Sequence, residues 1–232
     1  MKYVSIKKFF PVAAVAVALL TTQASAATYT VNFNGSAFPV PQLNFVNAGG
    51  SGLNLNVTAS DYANTNGTPT GGAFNLGQYT GGIGICSGTA TTSGDGCSSD
   101  SHYVDGYNGD EMAFFNFGAG NDVSLTSIGF YVPSFATDPE FDFALYLGAD
   151  APLWVSQVDV GSNSGGFKTY NLSTPRTGSL FGIGASGTDD YFKVSSITFD
   201  YDVSAVPVPA AGFLLFGALG GLAAMRRRRK SV

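Results

Sequence analysis

Short β-rich runs separated by clusters of turn-forming residues are the feature that most restricts the fold of this 232-residue chain. The intervals are rich in glycine, asparagine, serine and threonine, whereas lysine, glutamate and arginine, which favour helices, are scarce in the body of the chain. Chains of this pattern form strands and turns. The runs cover residues 28–33, 53–59, 112–117, 123–132, 141–147, 153–160, 167–172, 180–183 and 191–201.

Alternation within these runs indicates how the strands pack. Leu53, Leu55 and Val57 alternate with asparagines, which places the apolar side chains on one face of a strand. No helical interlude is long enough for a parallel crossover, so we expect an all-β fold, an antiparallel β-sandwich with a jelly-roll order of strands. The segments 34–52 and 61–82, which are rich in glycine, asparagine and threonine, are predicted to be long loops.

The N-terminus has the three regions of a secretory leader. A lysine-containing start precedes an apolar run over 9–20, and Ala24 and Ala26 are the small residues that signal peptidase inspects. We therefore predict a helical signal peptide over 1–26, cleaved between Ala26 and Ala27.

The C-terminus is also divided into three parts, with two prolines that hold the chain extended before a helix can begin. An apolar helix over 210–225 would be about 24 Å long, slightly short of a hydrocarbon core of about 30 Å. The basic end is expected to stay in the cytoplasm, which leaves everything before Pro207 outside. The parts are a motif (Val206, Pro207, Val208, Pro209, Ala210, Ala211), an apolar stretch over 212–225 and a basic end (Arg226, Arg227, Arg228, Arg229, Lys230).

This C-terminal arrangement over 206–232 resembles the PEP-CTERM sorting signal, in its Val-Pro-x-Pro-Ala-Ala variant, found on exported proteins of Gram-negative bacteria. The resemblance implies recognition and cleavage by an exosortase, a membrane-embedded cysteine transpeptidase. The body would be periplasmic while the tail spans the inner membrane, and would then pass to the cell surface or the exopolysaccharide matrix. Val208 stands where the namesake motif has an acidic residue.

The body between these ends, 27–205, has a length that suits one domain. Its cations are Lys168, Arg176 and Lys193, and it contains all 16 acidic residues, so its formal charge is −13. Nucleic acid and anionic membrane surfaces should repel such a body. The simplest interpretation is that this charge keeps an outside-facing protein solvated, and the alternative is that it binds divalent cations.

Cys86 and Cys97 are the two cysteines of the chain. In an exported chain, a pair in a polar loop is predicted to form a disulfide that closes the loop. A metal-binding pair or a catalytic thiol is the alternative.

The segment that follows the first cysteine carries a second resemblance. Gly-Ile-Gly-Ile-Cys at 82–86, His-x-Val-Asp at 102–105, Gly-Asp-Glu at 109–111 and Val-Ser-Leu-Thr-Ser-Ile-Gly-Phe at 123–130 resemble the body of exosortase-dependent surface proteins. This resemblance spans about 82–148. It implies a structural surface domain and names no catalytic residues.

The carboxylates of this segment offer a possible structural Ca²⁺ site. Asp105, Asp110 and Glu111 lie among glycines, with Asn108 between them, and Ca²⁺ takes six to eight oxygen ligands. The order of an EF-hand loop is absent. The alternative is a solvated turn in which Asp105 and Asp110 cap backbone amides.

Evidence for catalysis is weak, so we predict a non-enzymatic protein. His102 is expected to be structural, and no Gly-x-Ser-x-Gly elbow is present. Asp138, Glu140 and Asp142 would share one face of a strand, where an acidic edge is favoured over a glycosidase pair.

The leading hypothesis is a surface or matrix protein, and a secreted hydrolase is the third candidate. The alternative ranked between them is a carbohydrate-binding module within an exopolysaccharide or biofilm matrix. For that alternative the only tryptophan, Trp154, is the candidate platform, although aromatic residues in this number first indicate a core.

Overall fold

Strands form nearly all the regular structure of the computed structural model, which describes residues 26–202 except 88, 91–96, 99–101, 108, 148–151 and 161–164. Among these residues one short 3-10 turn, Ala48–Gly50, is the helical element. The strands are β1 (Ala27–Asn32), β2 (Ala37–Val40), β3 (Gln42–Phe45), β4 (Leu55–Tyr62), β5 (Pro69–Tyr79), β6 (Gly82–Cys86), β7 (Thr89–Ala90), β8 (Cys97–Ser98), β9 (Val104–Asp105), β10 (Glu111–Asn116), β11 (Val123–Val132), β12 (Glu140–Tyr146), β13 (Leu153–Asp159), β14 (Gly166–Gly178), β15 (Leu180–Ala185) and β16 (Tyr191–Tyr201).

All but β7 and β8 belong to one curled antiparallel sheet, which bends at β5. The first part of β5 pairs with β4, and its second part, 75–79, pairs with β6. The order is β13-β12-β15-β10-β4-β5-β6-β16-β11-β14. We call the half from β13 to β4, with β3 on its edge, the back sheet. The half from β6 to β14, with β1, β2 and the end of β5, is the front sheet.

Phenylalanine rings fill the space between the two halves. Phe117, after β10, lies 4.8 Å from Phe199 of β16, measured between ring centroids, and Phe130 of β11 lies 4.8 Å from Phe141 of β12. Burying one such side chain contributes about 1.5 to 3 kcal/mol, so these contacts between opposite halves hold the sandwich closed.

The predicted all-β antiparallel sandwich is therefore confirmed, while the jelly-roll order stays a prediction. The prediction of long loops over 34–52 and 61–82 is wrong, because β2, β3 and β5 lie there. Pairing across the sheet, such as that of Ala37 with Gln78, gives these glycine-rich segments the strand conformation that their composition disfavours.

The described β domain belongs to the unit Ser25–Val203. Residues 1–25 of the signal peptide predicted over 1–26, and the whole sorting signal over 206–232, lie outside the described residues. Within the described part of the chain, no helix is long and apolar enough to cross a membrane.

Candidate functional site

A disulfide bridge ties β6 of the front sheet to β8, ahead of a segment that packs on β6. Cys86 and Cys97 are bonded, with Cα atoms 5.7 Å apart, which confirms the predicted bridge. The chain then returns along β6, where the Ile85 N–H donates a hydrogen bond of 3.2 Å to the Tyr103 carbonyl. The described segment that follows the bridge therefore lies against β6.

Glycine in β6 makes room for this returning segment. A Cβ atom on Gly84 would overlap the carbonyl of His102, so only glycine permits the close approach. Ile83 and Ile85 point the other way and are fully buried in the core. Alternation explains the Ile-Gly-Ile part of the motif, because both isoleucines face inward and Gly84 faces the covering segment, whereas Gly82 lies against the Val194 carbonyl of β16.

Beneath the returning segment lies Lys193, a lysine of β16 that is only 4% exposed. Its Nζ lies 4.8 Å from the ring centroid of Tyr79 and 4.7 Å from that of Tyr103, within the range of cation–π attraction. Burial, and then the neighbouring Tyr131, raises the pKa of Tyr103, so its phenol stays protonated and uncharged at neutral pH. A buried cation therefore holds two tyrosine rings in place.

From Tyr103 the rings continue to the surface. The Phe135 ring lies 5.8 Å from that of Tyr103 and 5.4 Å from that of Tyr191, and the rings of Tyr131 and Phe167 are 5.3 Å apart, all measured between centroids. Phe135 is 59% exposed and Phe167 is 63% exposed. We call this group the aromatic surface: Tyr79, His102, Tyr103, Tyr131, Phe135, Phe167 and Tyr191.

The sequence analysis did not identify Phe135 or Phe167. The two residues are far apart in the chain, and strand pairing unites their surroundings: Tyr131 and Phe167 are Cα partners in β11 and β14. Phe167 begins a run of alternating residues, and this alternation predicts a strand. It does not predict which face of that strand is exposed.

The expected platform residue, Trp154, lies elsewhere, on the outer face of the back sheet. Its ring centroid is 5.5 Å from that of Tyr62, and its ring covers Gly67, where a Cβ atom would meet it. Tyr146 donates from its hydroxyl to the Gly67 carbonyl, which holds this turn over the sheet. We call this set the Trp154 group: Tyr62, Met112, Phe114, Ala144, Tyr146, Trp154 and Leu180.

The three predicted calcium ligands have other contacts. Asp105 and Glu111 are fully buried, and the Asp105 N–H donates to Glu111 Oε2 at 3.1 Å. Asp105 Oδ1 in turn accepts the N–H of Tyr107 at 3.0 Å, which is the capping role named as the alternative. Burial, and then the charge of Asp142, raises the pKa of Asp110.

Asn108, the fourth oxygen donor named in the sequence, lies outside the described residues. Where the structure describes the chain, no three His, Cys, Asp or Glu side chains come together in a way that could hold a metal ion. The calcium site stays a prediction that this geometry does not strengthen.

Asp142, one of three carboxylates considered for glycoside hydrolysis, is 1% exposed. It accepts hydrogen bonds from the Tyr62 hydroxyl and, at 2.8 Å, from the Gln157 N–H. Burial and then Asp142 raise the pKa of Tyr62 above the ordinary range of a phenol. These bonds tie Asp142 to the packing of the Trp154 group.

Glu140 and Asp190 form a separate acidic pair at the start of β12. Asp190 Oδ1 accepts the Glu140 N–H at 2.9 Å, and Asp190 Oδ2 accepts the Gly187 N–H at 2.7 Å. Burial, the largest cause, raises the pKa of Asp190. Burial and then the charge of Asp190 raise the pKa of Glu140. Of the carboxylates predicted to form an acidic edge, Glu140 is partly exposed and Asp142 is buried.

The chain ends of the domain lie together, at the end away from the aromatic surface. Ala27, the predicted first residue after leader cleavage, begins β1 and is the Cα partner of Tyr201, the last residue of β16. Tyr191 of the aromatic surface begins the same strand, about 33 Å away at 3.3 Å per residue. The two ends of the described domain therefore lie together, and the aromatic surface lies at the other end of β16.

No family model matches this chain, and no curated protein matches it. Among solved structures, it is similar to the family 32 carbohydrate-binding module of NanJ from Clostridium perfringens, in complex with galactose, with 11% identity over 64% of this chain and 93% of that chain at a TM-score of 0.32. CpGH89CBM32-5 from the same organism, in complex with GalNAc-β-1,3-galactose, has 10% identity over 63% of this chain and 94% of that chain, also at a TM-score of 0.32. At these values the likeness carries no argument about fold or ligand.

Proposed function

We propose that this chain is a non-enzymatic, exported surface protein whose β-sandwich binds neutral carbohydrate chains through the aromatic surface. The observation that carries the proposal is the exposure of Phe135, beside a Tyr103 ring that packs on a buried lysine, together with the exposure of Phe167 beside the Tyr131 ring. Exposed apolar rings grouped on a soluble domain mark a binding surface, because water disfavours them and nothing in the fold needs them there.

Flat rings of this kind suit sugars. The C–H face of a pyranose packs on an aromatic ring, while tyrosine hydroxyls at the ring edge can exchange hydrogen bonds with sugar hydroxyls. Tyr103, Tyr131 and Tyr191 provide such hydroxyls next to the two phenylalanines. The rings can therefore form a platform with polar groups at its margin.

Charge selects among polysaccharides. The body carries a formal charge of −13, which repels polyanionic chains such as uronate polymers. Neutral chains meet no such barrier. We therefore expect binding to neutral glycans, and weak binding to acidic glycans that strengthens as salt screens the repulsion.

The route to the surface belongs to the same proposal. A leader cleaved between Ala26 and Ala27, and exosortase handling at Val206–Ala211, would deliver the domain to the cell surface or the exopolysaccharide matrix. The Cys86–Cys97 bond supports an oxidising destination, where disulfides persist.

Deletion of residues 206–232 tests the route. Fractionation of cells that express the full chain or the truncated chain should find the truncated chain displaced from the surface fraction into the periplasm or the medium. An unchanged location after deletion would contradict sorting by the tail and leave the glycan proposal to its own test.

Paired substitutions test the site. Affinity electrophoresis of the full chain through gels that contain β-glucan, mannan or galactan should show retardation by at least one polymer. Phe135→Ala with Phe167→Ala should weaken that binding at least tenfold. Phe38→Ala is the matched control, since Phe38 is 52% exposed on β2 outside the aromatic surface. Equal retardation of the double variant and the wild type would overturn the proposal.

A further inference from the structure

A concave feature lies on the back sheet, at the end of the sandwich away from the aromatic surface. It is a groove of about 740 Å³ between β3–β4 and the turn that follows β10. This volume is in the range of ligand sites. Of the described residues that line it, none carries a charge, and most polar ones are amides: Gln42, Asn54, Asn56, Asn116 and Asn121.

Strand register places part of these amides in a row. Asn44, Asn56 and Asn116 are Cα partners on the neighbouring strands β3, β4 and β10. Asn44 Oδ1 accepts hydrogen bonds from Gln42 Nε2 at 2.8 Å and from Asn56 Nδ2 at 3.0 Å. Neighbouring amides are thus held in fixed orientations before any ligand arrives, which lowers the entropy cost of binding.

The turn after β10 holds the opposite wall. Asn116 Oδ1 accepts the Gly118 N–H at 2.7 Å, and Asn121 Nδ2 donates to the Phe117 carbonyl at 2.8 Å. Each of these amides therefore uses one of its two polar ends within the protein. In the described part of the chain, the Asn116 NH₂ group and the Asn56 amide oxygen make no hydrogen bond, so a donor and an acceptor remain.

A donor and an acceptor in an uncharged groove suit a ligand that both gives and accepts hydrogen bonds. Leu53 and Phe117, both buried, also line the groove and give it an apolar floor. Neutral sugar units present hydroxyls at their edge and C–H groups on their face, which matches amide walls over such a floor. An ionic ligand would find no charged partner among the described lining residues.

The groove and the aromatic surface lie at opposite ends of one strand. Asn121 lies two residues before β11, and Tyr131 lies near its other end, a span of about 30 Å at 3.3 Å per residue. Two glycan chains could occupy both places without touching each other.

We propose that the amide groove is a second binding site for a neutral, polyhydroxylated chain, so that one domain links two polysaccharide strands. The groove site is independent of the aromatic surface, whereas the linking of two strands rests on the function proposed above.

The test uses the full chain, neutral hexasaccharides of β-glucan, mannan and galactan as probes, and isothermal titration. We expect two equivalents of the bound hexasaccharide per wild-type chain. Asn56→Ala with Asn116→Ala should remove one equivalent, and Phe135→Ala with Phe167→Ala should remove the other. Asn171→Ala, an exposed asparagine of β14, is the matched control and should keep both.

Each outcome separates the two ideas. One equivalent that is lost only in the phenylalanine variant overturns the groove and leaves the aromatic surface. One equivalent that is lost only in the asparagine variant upholds the groove site and overturns both the aromatic surface and the linking of strands. No binding of any probe by the wild type overturns both sites.

The linking of two polysaccharide strands is tested separately, by turbidity with the corresponding long polymers. Wild-type chain mixed with the polymer should raise turbidity, and either double variant should abolish the rise while keeping one binding equivalent. Turbidity that persists in both variants would contradict linking by these two sites.

Discussion

The aromatic surface on the front sheet and the Trp154 group on the back sheet contain similar residues but differ in how far their rings are exposed. In both, a glycine leaves space for a close approach: the His102 backbone lies over Gly84 on one side, and the Trp154 ring lies over Gly67 on the other. The Trp154 group is closed by the turn at Gly67 and by polar bonds from Tyr62 and Tyr146. The aromatic surface ends in two largely exposed phenylalanines.

This difference teaches that the kind of ring does not identify a binding platform. Tryptophan is the ring that carbohydrate platforms would be expected to use, yet Trp154 packs on Tyr62. Phe135 and Phe167 contribute little to folding stability, because their rings are largely exposed. Stability should therefore depend on the first group and binding on the second.

Trp154→Ala should give the largest loss of stability. Removing a half-buried tryptophan leaves a cavity over Gly67 and Tyr62, and we expect the free energy of unfolding to fall by about 3 kcal/mol. The free energy of unfolding is measured by urea titration with circular dichroism as the signal, because the variant lacks the only tryptophan and so has no tryptophan fluorescence. A Phe167→Ala control should change stability by less than about 0.5 kcal/mol. Equal losses in both variants would erase the contrast between the groups.

Loss of the disulfide should affect the front sheet. Cys86→Ala with Cys97→Ala frees the segment that covers Gly84, and the chain-entropy model gives a loss of about 2 to 3 kcal/mol. Glycan binding by the folded fraction should also weaken, because His102 and Tyr103 follow the loop. Unchanged binding would show that the rings hold their places without the bridge.

Asp142→Asn should destabilise the back sheet by about 1 to 2 kcal/mol and leave glycan affinity unchanged. The amide keeps one acceptor oxygen, whereas Asp142 accepts from both the Tyr62 hydroxyl and the Gln157 N–H. Chemical denaturation paired with affinity electrophoresis measures both effects. A loss of affinity without a loss of stability would place a binding site at the Trp154 group.

The smallest effect concerns pH. The pKa of Asp190 is raised, so the folded chain takes up this proton at a higher pH than the unfolded chain does. Stability should thus rise as pH falls from neutral through the raised pKa, and the gain is complete below the ordinary aspartate range. Asp190→Asn should flatten this part of the stability profile, and Asp189→Asn, an exposed neighbour, should not. A profile that keeps its slope in Asp190→Asn would contradict the assignment.

Local patterns predicted a strand over 53–59, of which β4 contains 55–59 with Leu55 and Val57 buried, and they predicted the disulfide of an exported chain. They missed β2, because its pairing with β5 depends on residues about 40 positions away. Local patterns did not predict the aromatic surface for the same reason. Phe135 and Phe167 come from separate segments, and only the pairing of β11 with β14 brings their neighbours together.

The uniqueness of Trp154 makes the central contrast directly measurable. Its fluorescence should be followed while the full chain is titrated with the neutral glycan that retards it, with saturation established by calorimetry in the same buffer. We expect saturating ligand to leave the tryptophan emission maximum and intensity unchanged, because the ligand stacks on Phe135 and Phe167. A shift or quenching that tracks the binding isotherm, and that persists in Phe135→Ala with Phe167→Ala, would place the sugar on the Trp154 group and contradict the account.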